Sequence, residues 1–360
     1  MREFRKLFVN KKVIITGHTG FKGSWLTLWL LKLGAKVVGI SNGHPSKPSH
    51  YNNLNIDKKI KNYNLDIRDL DKLKKVFMSN KPDFIFHLAA QSIVKKSFKN
   101  PIYNWETNTL GTINVLESLR FLKKNCIAVF ITSDKSYRNL ELKRGYREND
   151  LLGGYDPYSA SKGSAEFAIS SYVKSFFSKN DKIRIGVGRA GNVIGGGDWS
   201  ENRLIPDCMR SWSKNKKVIL RKPNSTRPWQ HVLEAIYGYL TLAKELKRRK
   251  NLHGEAFNFG PSETNNYRVI KVVRNMRDYW QSVNWIIKKN KNFKESNLLK
   301  LNSSKARKFL KWKNNLSFQK TIKLVVEWYK EYFENSKNTY NISKKQIELY
   351  EKILTTNYKI

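Results

Sequence analysis

Apolar residues in the first half of the chain form short β-branched runs that alternate with longer amphipathic segments. Residues 13–16 and 35–40 are two such runs, and between them residues 23–33 carry apolar side chains at helical spacing. The alternation continues to residue 190. Because a parallel connection between strands needs a long crossover, which a helix usually supplies, this pattern predicts an α/β fold with a doubly wound parallel sheet.

The pattern changes after residue 190, where the predicted elements become shorter and mixed. They are a glycine-rich loop at 195–197, a helix at 204–214, a short strand at 218–220 and a helix that opens at 226–231. Such elements predict a smaller domain over residues 191–335 that closes over the first domain, residues 1–190. Residues 336–360 are polar and rich in lysine, with an amphipathic stretch at 342–354, and are predicted to form an appended helix and tail.

The composition is that of a globular chain. With 360 residues, of which 40% are hydrophobic, the chain can bury a sizeable core. No apolar run approaches the roughly 20 residues of a membrane span, and no apolar signal region follows the N-terminus, so a cytoplasmic location is expected. Cys126 and Cys208 lie far apart in apolar surroundings, so we expect buried free thiols rather than a disulfide or a metal pair.

The net charge raises the question of nucleic-acid binding. Sixty-nine Lys and Arg residues against 29 Asp and Glu residues give a formal charge of +40, and such a balance is typical of proteins that bind nucleic acid. Here, however, the basic residues are spread over the whole chain, with no basic arm or block. A lysine-rich proteome explains this pattern better, because net charge affects solubility and nonspecific contacts rather than fold. No specific nucleic-acid partner is therefore expected.

A glycine-rich loop joins the first predicted strand to the first predicted helix. Its glycines, Gly17, Gly20 and Gly23, follow a G-x-x-G-x-x-G spacing. Gly17 permits a tight turn, Gly20 lets the backbone approach a pyrophosphate, and Gly23 lets the helix pack on the strand. Because the N-terminus of the helix then faces the phosphates, this strand–loop–helix unit predicts a dinucleotide-binding site. An ordinary loop is the less favoured interpretation.

The residue that usually selects between NAD and NADP is missing from its place. A carboxylate after the second strand usually holds the adenosine ribose, whereas here the strand ends at Ile40 and continues into Ser41, Asn42 and Gly43. Asn42 offers a hydrogen bond to the ribose instead. From the residues alone, both NAD and NADP stay open.

Residues at the ends of later strands complete the predicted crevice. In open α/β sheets, ligands bind beyond the carboxyl ends of the strands, so Gly17, Ala89 and Ser133 are predicted to meet at one place. Asp66 precedes the next helix and is expected either to reach the adenine amino group or to cap that helix. His87 lies within an apolar run and is predicted to be a core histidine. Asn108 is interpreted as a structural hydrogen-bonding residue in preference to a member of a proton path.

Tyr158 and Lys162 are four residues apart on a predicted helix, so they lie on one face, one turn from each other. The ammonium of Lys162 is expected to lower the pKa of the Tyr158 phenol, so that the tyrosine acts as a base near neutral pH. Asp156 and Pro157 set up the start of this helix. A pair of this kind is common on solvated helices, and it is the glycine loop and the strand end at 132–135 that favour a catalytic role.

Together these motifs resemble the extended short-chain dehydrogenase/reductases over nearly the whole chain, and within them the nucleotide-sugar 4,6-dehydratases. The segments that carry the narrower resemblance are 17–26, 132–137, 153–163, 189–199, 203–207 and 226–232. Other 4,6-dehydratases usually have an Asp-Glu pair where this chain has Asp134 and Lys135, whereas the branch that acts on CDP-glucose has Asp-Lys. The resemblance therefore implies CDP-glucose as the substrate rather than a dTDP- or GDP-sugar.

The resemblance also implies a Rossmann-type sheet with a smaller C-terminal substrate-binding domain, NAD as the cofactor, no metal, and a homodimer formed through helices. It implies catalysis by Ser133, Asp134, Lys135, Tyr158 and Lys162. The implied cofactor-binding residues are Gly17, His18, Thr19, Gly20, Phe21, Lys22, Gly23, Asp66, Ile67, Leu88, Ala89 and Ala90, together with Tyr158 and Lys162. The implied substrate-binding residues are Gln91, Asn192, Arg203 and Arg227, of which the arginines suit a diphosphate because their planar forks make paired hydrogen bonds.

The implied reaction is a redox-neutral dehydration that yields CDP-4-dehydro-6-deoxy-D-glucose, a precursor of 3,6-dideoxyhexoses in surface polysaccharide such as the O-antigen of lipopolysaccharide. Tyr158, assisted by Lys162, takes the proton of the 4-hydroxyl while a hydride leaves C4 for NAD, and Ser133 hydrogen-bonds the same hydroxyl. Asp134 protonates the departing 6-hydroxyl, provided that burial raises its pKa. Lys135 removes the C5 proton, which requires a neutral amine; desolvation and neighbouring positive charge favour that form.

Two alternatives stay open at this point. The first is a related enzyme, either a GDP-mannose or dTDP-glucose type 4,6-dehydratase or a nucleotide-sugar epimerase. An epimerase eliminates no water and does not need Asp134 and Lys135 as an acid and base. The second is a basic nucleic-acid-binding protein on a dinucleotide fold, which has no reason to keep Ser133, Tyr158 and Lys162 in register.

Overall fold

The computed structural model describes residues 1–178, 182–262, 266–288 and 298–357. A seven-stranded parallel sheet with the order β11-β6-β5-β4-β1-β2-β3 forms its centre. The strands are β1 (Lys12–Thr16), β2 (Lys36–Ser41), β3 (Lys61–Asn64), β4 (Phe84–His87), β5 (Cys126–Ser133), β6 (Ile183–Ala190), β7 (Val193–Ile194), β8 (Val218–Leu220), β9 (Thr226–Arg227), β10 (Gln230–His231), β11 (Ala256–Phe259), β12 (Tyr267–Arg268) and β13 (Trp285–Ile287). The doubly wound parallel sheet is therefore confirmed.

Helices cover both faces of the sheet, and the strands that they cover are apolar on both sides, as is usual for buried parallel strands. The helices are α1 (Arg2–Phe8), α2 (Phe21–Lys32), α3 (His50–Leu54), α4 (Leu70–Asn80), α5 (Val94–Lys99), α6 (Pro101–Trp105), α7 (Gly111–Arg120), α8 (Pro157–Tyr172), α9 (Leu204–Trp212), α10 (Val232–Arg248), α11 (Val269–Met276), α12 (Phe318–Glu334) and α13 (Thr339–Asn357). A π-helical turn over 106–110 joins α6 to α7, and another over 173–177 extends α8.

Capping residues fix the starts of the helices that matter for the site. Gly20 caps α2 in an extended conformation, so the helix begins at Phe21, two residues earlier than the predicted 23–33. Asp156 caps α8 by accepting a hydrogen bond from the backbone nitrogen of Ser159 at 2.9 Å, and Pro157 occupies the first turn, where it costs no hydrogen bond. Both caps orient the N-termini of α2 and α8 toward the carboxyl ends of the strands.

The segment after the sixth strand differs from its prediction at one element. Residues 226–231, expected to open a helix, form the short strands β9 and β10 instead. The helix α10 begins only at Val232, because His231 caps it and pairs with Ile194 of β7. The strand predicted at 218–220 is confirmed as β8.

The C-terminal helix is packed into the core rather than appended to it. Apolar and polar side chains on one side of α13 are buried, and the hydroxyl of Tyr350 donates to the buried carboxylate of Glu234 at 2.6 Å. The hydroxyl of Ser343 lies 3.1 Å from Nε2 of His50 and accepts from Nε1 of Trp328. The amphipathic helix predicted at 342–354 is thus present and longer, while residues 358–360 lie outside the described part.

Two smaller predictions concern the cysteines and membrane-spanning helices. Cys126 and Cys208 are buried free thiols, as expected. Within the described ranges, every helix is too short or too polar to cross a membrane.

Candidate active site

The carboxyl ends of the sheet strands open into one cleft of about 1720 Å³. That volume exceeds the roughly 300–1,000 Å³ of a pocket for one small ligand, so the cleft has room for a dinucleotide and a second nucleotide together. The predicted site residues that line it are Gly17, Thr19, Gly20, Phe21, Lys22, Gly23, Asp66, Ile67, Leu88, Ala89, Ala90, Gln91, Ser133, Asp134, Lys135, Tyr158, Lys162, Asn192, Arg203 and Arg227.

The glycine loop makes backbone contacts that leave no room for side chains. Gly17 has a φ of +74°, and a Cβ there would lie 2.7 Å from the backbone nitrogen of Ala89. A Cβ on Gly23 would lie 2.1 Å from the carbonyl oxygen of Gly17. The tight turn and the close packing of helix on strand that the sequence predicted are therefore both present.

His18, alone among the predicted contact residues, does not line the cleft. Its ring is buried behind the loop, edge-on to Tyr51 with 5.0 Å between ring centroids. Burial lowers the pKa of His18 below its usual value, so the ring is neutral at neutral pH. The His18 side chain therefore packs behind the glycine loop. The loop motif in the sequence does not indicate in which direction this side chain points.

No carboxylate follows β2 at the place where one usually binds the adenosine ribose. Asn42 lies there instead and pairs with Asp66. Nδ2 of Asn42 donates to Oδ2 of Asp66 at 2.8 Å, and Arg68 donates to both oxygens of the same carboxylate. Asp69, not Asp66, caps α4 through the backbone nitrogen of Lys72. The capping alternative for Asp66 is therefore wrong. Its carboxylate lies at the edge of the cleft beside Asn42, a pairing across two strand ends that sequence spacing does not reveal.

Tyr158 and Lys162 lie on the cleft side of α8, and both are buried. Burial raises the pKa of Tyr158 to about 12, although a hydrogen bond with Ser133 and the charge of Arg203 act in the opposite direction. Burial lowers the pKa of Lys162 to about 8, opposed by Glu166. The predicted lowering of the Tyr158 pKa is thus wrong for this structure, because desolvation of the phenolate outweighs the favourable charges.

Ser133 is the last residue of β5, Asp134 and Lys135 follow it directly, and Tyr158 lies opposite. Oγ of Ser133 donates to Oδ1 of Asp134 at 2.9 Å and accepts from the backbone nitrogen of Lys135 at 3.2 Å. Burial raises the pKa of the Asp134 carboxyl, opposed by the positive charges of Lys135, Arg227 and Lys22. This is the direction that an acid catalyst needs, as the sequence predicted. Lys135 is half-buried beside it.

Positive side chains converge on the cleft from several elements. Lys22 is half-buried near Tyr239, and desolvation together with the charges of Lys162 and Arg203 lowers its pKa to about 7. Nη1 of Arg203 lies 3.1 Å from the carboxylate of buried Asp198, and its Nη2 points to Ser92 across the cleft. Arg227 is buried on β9 within range of Asp134. Such a site favours anionic ligands, and its field is focused because little water screens it.

Polar residues behind the cleft hold Gln91 and α8 in place. The side-chain oxygen of Asn108 accepts from the backbone nitrogen of Gln91 at 2.8 Å, and its Nδ2 donates to Oγ of Ser161 at 3.0 Å. His87 lies between Thr16 and Thr112, with ring-nitrogen distances of 2.7 and 3.1 Å to their hydroxyls. The structural interpretations of Asn108 and His87 agree with these contacts.

Sequence analysis missed two acidic residues that support the site. Asp198 holds Arg203, and Glu166 pairs with Arg189 beneath Lys162. For Glu166 a signal was present, since it lies four residues after Lys162 and eight after Tyr158, on the same helical face. For Asp198 the sequence contains no such signal, because the path of the glycine-rich loop brings it to Arg203.

A doubly wound parallel sheet, a glycine loop at the first strand and a Tyr-x-x-x-Lys helix at the end of the fifth strand define an extended short-chain dehydrogenase/reductase. The family model described as GDP-mannose 4,6 dehydratase matches residues 14–325. The chain belongs to this family.

Relatives with assigned names agree with this placement. The chain is 42% identical over 331 residues to a CDP-glucose 4,6-dehydratase of Salmonella typhimurium, with 91% of this chain and 92% of the relative covered. It is 30% identical over 287 residues to a dTDP-D-glucose 4,6-dehydratase of Dictyostelium discoideum, with 75% of this chain and 63% of the relative covered. An epimerase of Methanothermobacter thermautotrophicus of known structure is similar with a TM-score of 0.82 at 25% identity, covering 94% of this chain and 97% of that one.

Proposed function

We propose that this protein is a CDP-glucose 4,6-dehydratase, which converts CDP-D-glucose to CDP-4-dehydro-6-deoxy-D-glucose and water. The observation that carries the proposal is the buried carboxyl of Asp134, with its raised pKa, beside Lys135 and opposite Tyr158. The similarity to the Salmonella enzyme supports the choice of CDP-glucose. An epimerase is the weaker alternative, because a buried acid next to a lysine serves elimination of water and has no use in epimerisation.

The residues around the glycine loop fit NAD as the bound cofactor. Gly17, Gly20 and Gly23 line the cleft at the start of α2, where the N-terminus of a helix suits a pyrophosphate. Asp66 and Asn42 at the other end offer a carboxylate and an amide for the adenosine. NAD held there would supply a hydride acceptor for C4 of the sugar and a hydride donor for C6.

For the first step, Tyr158 takes the proton of the sugar 4-hydroxyl. Ser133 hydrogen-bonds the phenol of Tyr158 and orients the 4-hydroxyl. The ammonium of Lys162 stabilises the phenolate form in which Tyr158 accepts this proton, since an adjacent positive charge favours the ionised state of an acid. With a Tyr158 pKa of about 12 in the free protein, this stabilisation is needed for proton transfer near neutral pH.

For the second step, Lys135 removes the C5 proton, which the neighbouring 4-ketone has made acidic. Asp134 then protonates the 6-hydroxyl, which leaves as water, and the proton held by Lys135 returns to C5 as C6 is reduced. The raised pKa keeps the Asp134 carboxyl protonated at higher pH than an exposed aspartate, so it can donate a proton. Asn192, Arg203 and Arg227 hold the diphosphate, and Gln91 contacts the sugar.

Replacing Gly23 with Ala is expected to weaken NAD binding. The new Cβ would lie 2.1 Å from the carbonyl oxygen of Gly17, so the loop must shift. Overpacking of this kind costs about 1–3 kcal/mol, which corresponds to roughly a 5- to 150-fold rise in Kd. Isothermal titration calorimetry with NAD measures this Kd. Tyr155→Phe is the control for a substitution in the same cleft, because Tyr155 is 80% exposed and the change removes only its hydroxyl. An unchanged Kd in Gly23→Ala would contradict the cofactor site.

We also propose that the protein is a homodimer formed through α6, α7 and α8. The helix α8 packs against both α6 and α7, and these helices with the π-helical turn between α6 and α7 leave Ile102, Trp105, Leu110 and Phe167 exposed. Such a patch suits a second copy of the same surface. Light scattering is expected to give twice 42.2 kDa for the wild type. The variant Leu110→Lys/Phe167→Lys is expected to be monomeric, whereas the control Ile287→Lys, an exposed apolar residue elsewhere, remains dimeric. A dimeric double variant would exclude this interface.

The protein is proposed to act in the cytoplasm, where its product supplies 3,6-dideoxyhexoses for surface polysaccharide such as the O-antigen of lipopolysaccharide. The 4-ketone of the product prepares C3 for deoxygenation, which supports this place in a reaction sequence. No specific nucleic-acid partner is proposed.

The experiment that tests the function is a substrate comparison. Purified protein is incubated with catalytic NAD and CDP-glucose, and the 4-keto sugar is followed by its absorbance in alkali. Assays with dTDP-, UDP- and GDP-sugars run in parallel. Product from CDP-glucose and from none of the others is expected. Turnover of GDP-mannose or dTDP-glucose instead would overturn the choice of nucleotide, and no product from any sugar would overturn the dehydratase proposal.

A further inference from the structure

A buried ion pair lies beneath the reacting groups and belongs to none of the proposed chemical steps. Glu166 is on α8, one turn beyond Lys162, and it pairs with Arg189 at the end of β6. Both side chains are 4% exposed. A buried charge pair is costly to desolvate, so its presence at this position calls for a role beyond stability.

Glu166 ties the catalytic helix to the catalytic strand. Its Oε1 accepts a hydrogen bond from the hydroxyl of Thr132 at 2.7 Å and from Nε of Arg189 at 2.9 Å. Thr132 and Arg189 are register partners on β5 and β6. Because Thr132 immediately precedes Ser133, these bonds fix the distance between α8 and the strand end that carries Ser133, Asp134 and Lys135.

Arg189 extends the same link to the segment after Lys135. Its Nη1 donates to the hydroxyl of Tyr137 at 2.7 Å and to the carbonyl oxygen of Glu148 at 2.9 Å. The hydroxyl of Tyr137 donates in turn to Oδ1 of Asn258 at 2.8 Å. One guanidinium therefore joins α8, the turn that holds the acid and base, and the loop that follows it.

The charge of Glu166 also acts on Lys162. Among the residues that the structure describes, Lys162 interacts electrostatically with Glu166 on α8, Lys22 on α2 and His87 at the end of β4, and Tyr158 precedes it by one turn on α8. Burial and the charge of Lys162 lower the pKa of His87 to about 3, so this ring is neutral. The positive charge of Lys22 repels the positive charge of Lys162. Glu166 is thus the acidic group that opposes the loss of the Lys162 proton on burial.

We propose that Glu166 is a positioning residue that acts through Lys162 and Arg189. It keeps Lys162 in its ammonium form and holds α8 in register with the strand end that carries Ser133. It touches neither substrate nor cofactor. The activity readout of this inference rests on the proposed function, whereas the charge readout does not.

The first test is the charge of Lys162 itself. Trace labelling of lysines with acetic anhydride, quantified by mass spectrometry across a pH series, reports the titration of each amine without any substrate. In Glu166→Gln the titration of Lys162 is expected to move by about one pH unit to lower pH, since loss of a nearby opposite charge shifts an amine by about 1–3 units. In Glu166→Asp, which keeps the charge, it is expected to stay. An unmoved Lys162 in a folded Glu166→Gln protein would overturn the proposal.

The second test is the pH profile of kcat with CDP-glucose. Loss of the Lys162 proton, centred near pH 8 in the wild type, is expected to set the alkaline limb. In Glu166→Gln this limb moves to lower pH together with the labelling titration. Glu234→Gln is the matched control, because it removes a buried carboxylate that contacts Tyr350 and Leu316 away from Lys162. It is expected to leave the limb in place.

Two conservative variants test the positioning role and remain informative where Glu166→Gln does not fold. Glu166→Asp and Arg189→Lys keep a charge pair but break the bonds to Thr132 or to Tyr137. Both are expected to retain the alkaline limb of the wild type and to lose at least tenfold in kcat with little change in KM. Wild-type kcat in both variants would overturn the positioning role. A wild type that labels as expected but turns over no CDP-glucose would instead refute the proposed function.

Discussion

Replacing Tyr158 with Phe is expected to lower kcat for CDP-glucose by about 10²–10⁴-fold, the usual contribution of a positioned acid–base group. The phenol is buried opposite Ser133. Because the ring itself stays, packing of α8 and binding of CDP-glucose change little, so KM is expected to stay near its wild-type value. Single-turnover production of the 4-keto sugar measures the loss.

The control for this variant is Tyr155→Phe. Tyr155 lies three residues earlier, lines the same cleft and is 80% exposed, with its hydroxyl bonded to Arg138. It is expected to keep nearly full activity. If Tyr158→Phe retained more than a tenth of the wild-type rate, the assignment of Tyr158 as the base would be wrong, and Lys162 or Lys22 would have to take that role.

Replacing Asp134 with Asn is expected to reduce dehydration by about 10²–10⁴-fold while leaving the earlier proton transfers intact. An amide of the same shape keeps the acceptor for Ser133 but has no proton to donate to the 6-hydroxyl. Removal of the C5 proton by Lys135 does not depend on Asp134 as a donor. In deuterated water, mass spectrometry is therefore expected to find deuterium at C5 of sugar that still carries its 6-hydroxyl.

The pH dependence supplies an internal control for this interpretation. Because burial raises the pKa of Asp134, its protonated, active form is lost as pH rises through that raised value. In addition to the alkaline limb set by Lys162, wild-type dehydration is therefore expected to show a second fall with rising pH, which the residual rate of Asp134→Asn lacks. Asp198→Asn, a buried carboxylate that lines the same cleft and pairs with Arg203, is the comparison variant. It is expected to raise KM more than it lowers kcat. Full dehydration by Asp134→Asn would assign the acid elsewhere.

Much of the central sheet, with its helices, follows from local sequence pattern. Short-range causes produce the β-branched strands, the tight turn at Gly17 and the start of α8 at Asp156 and Pro157. The structure contains all three. The difference at 226–231 has a tertiary cause. That stretch pairs with Ile194 and Tyr267, which are distant in sequence, so strand pairing overrides its helical pattern.

The candidate site divides in the same way. The cleft gathers Ser133, Asp134, Lys135, Tyr158 and Lys162 as predicted, because residues that end parallel strands share one sheet edge. The direction of the Tyr158 pKa was wrong, since the sequence shows a nearby lysine but not the depth of burial. The inward orientation of His18 and the burial of α13 could likewise not be predicted from the sequence.

The sequence by itself determined which residues can do the chemistry and the order in which the strands present them, because spacing along a helix and position at a strand end are local properties. The tertiary structure alone decided their protonation and their support. Burial, the pairing of Glu166 with Arg189 and that of Asp198 with Arg203 join residues from separate elements. Desolvation and charge act through space, so their balance at Tyr158, Lys162 and Asp134 exists only once the chain has folded.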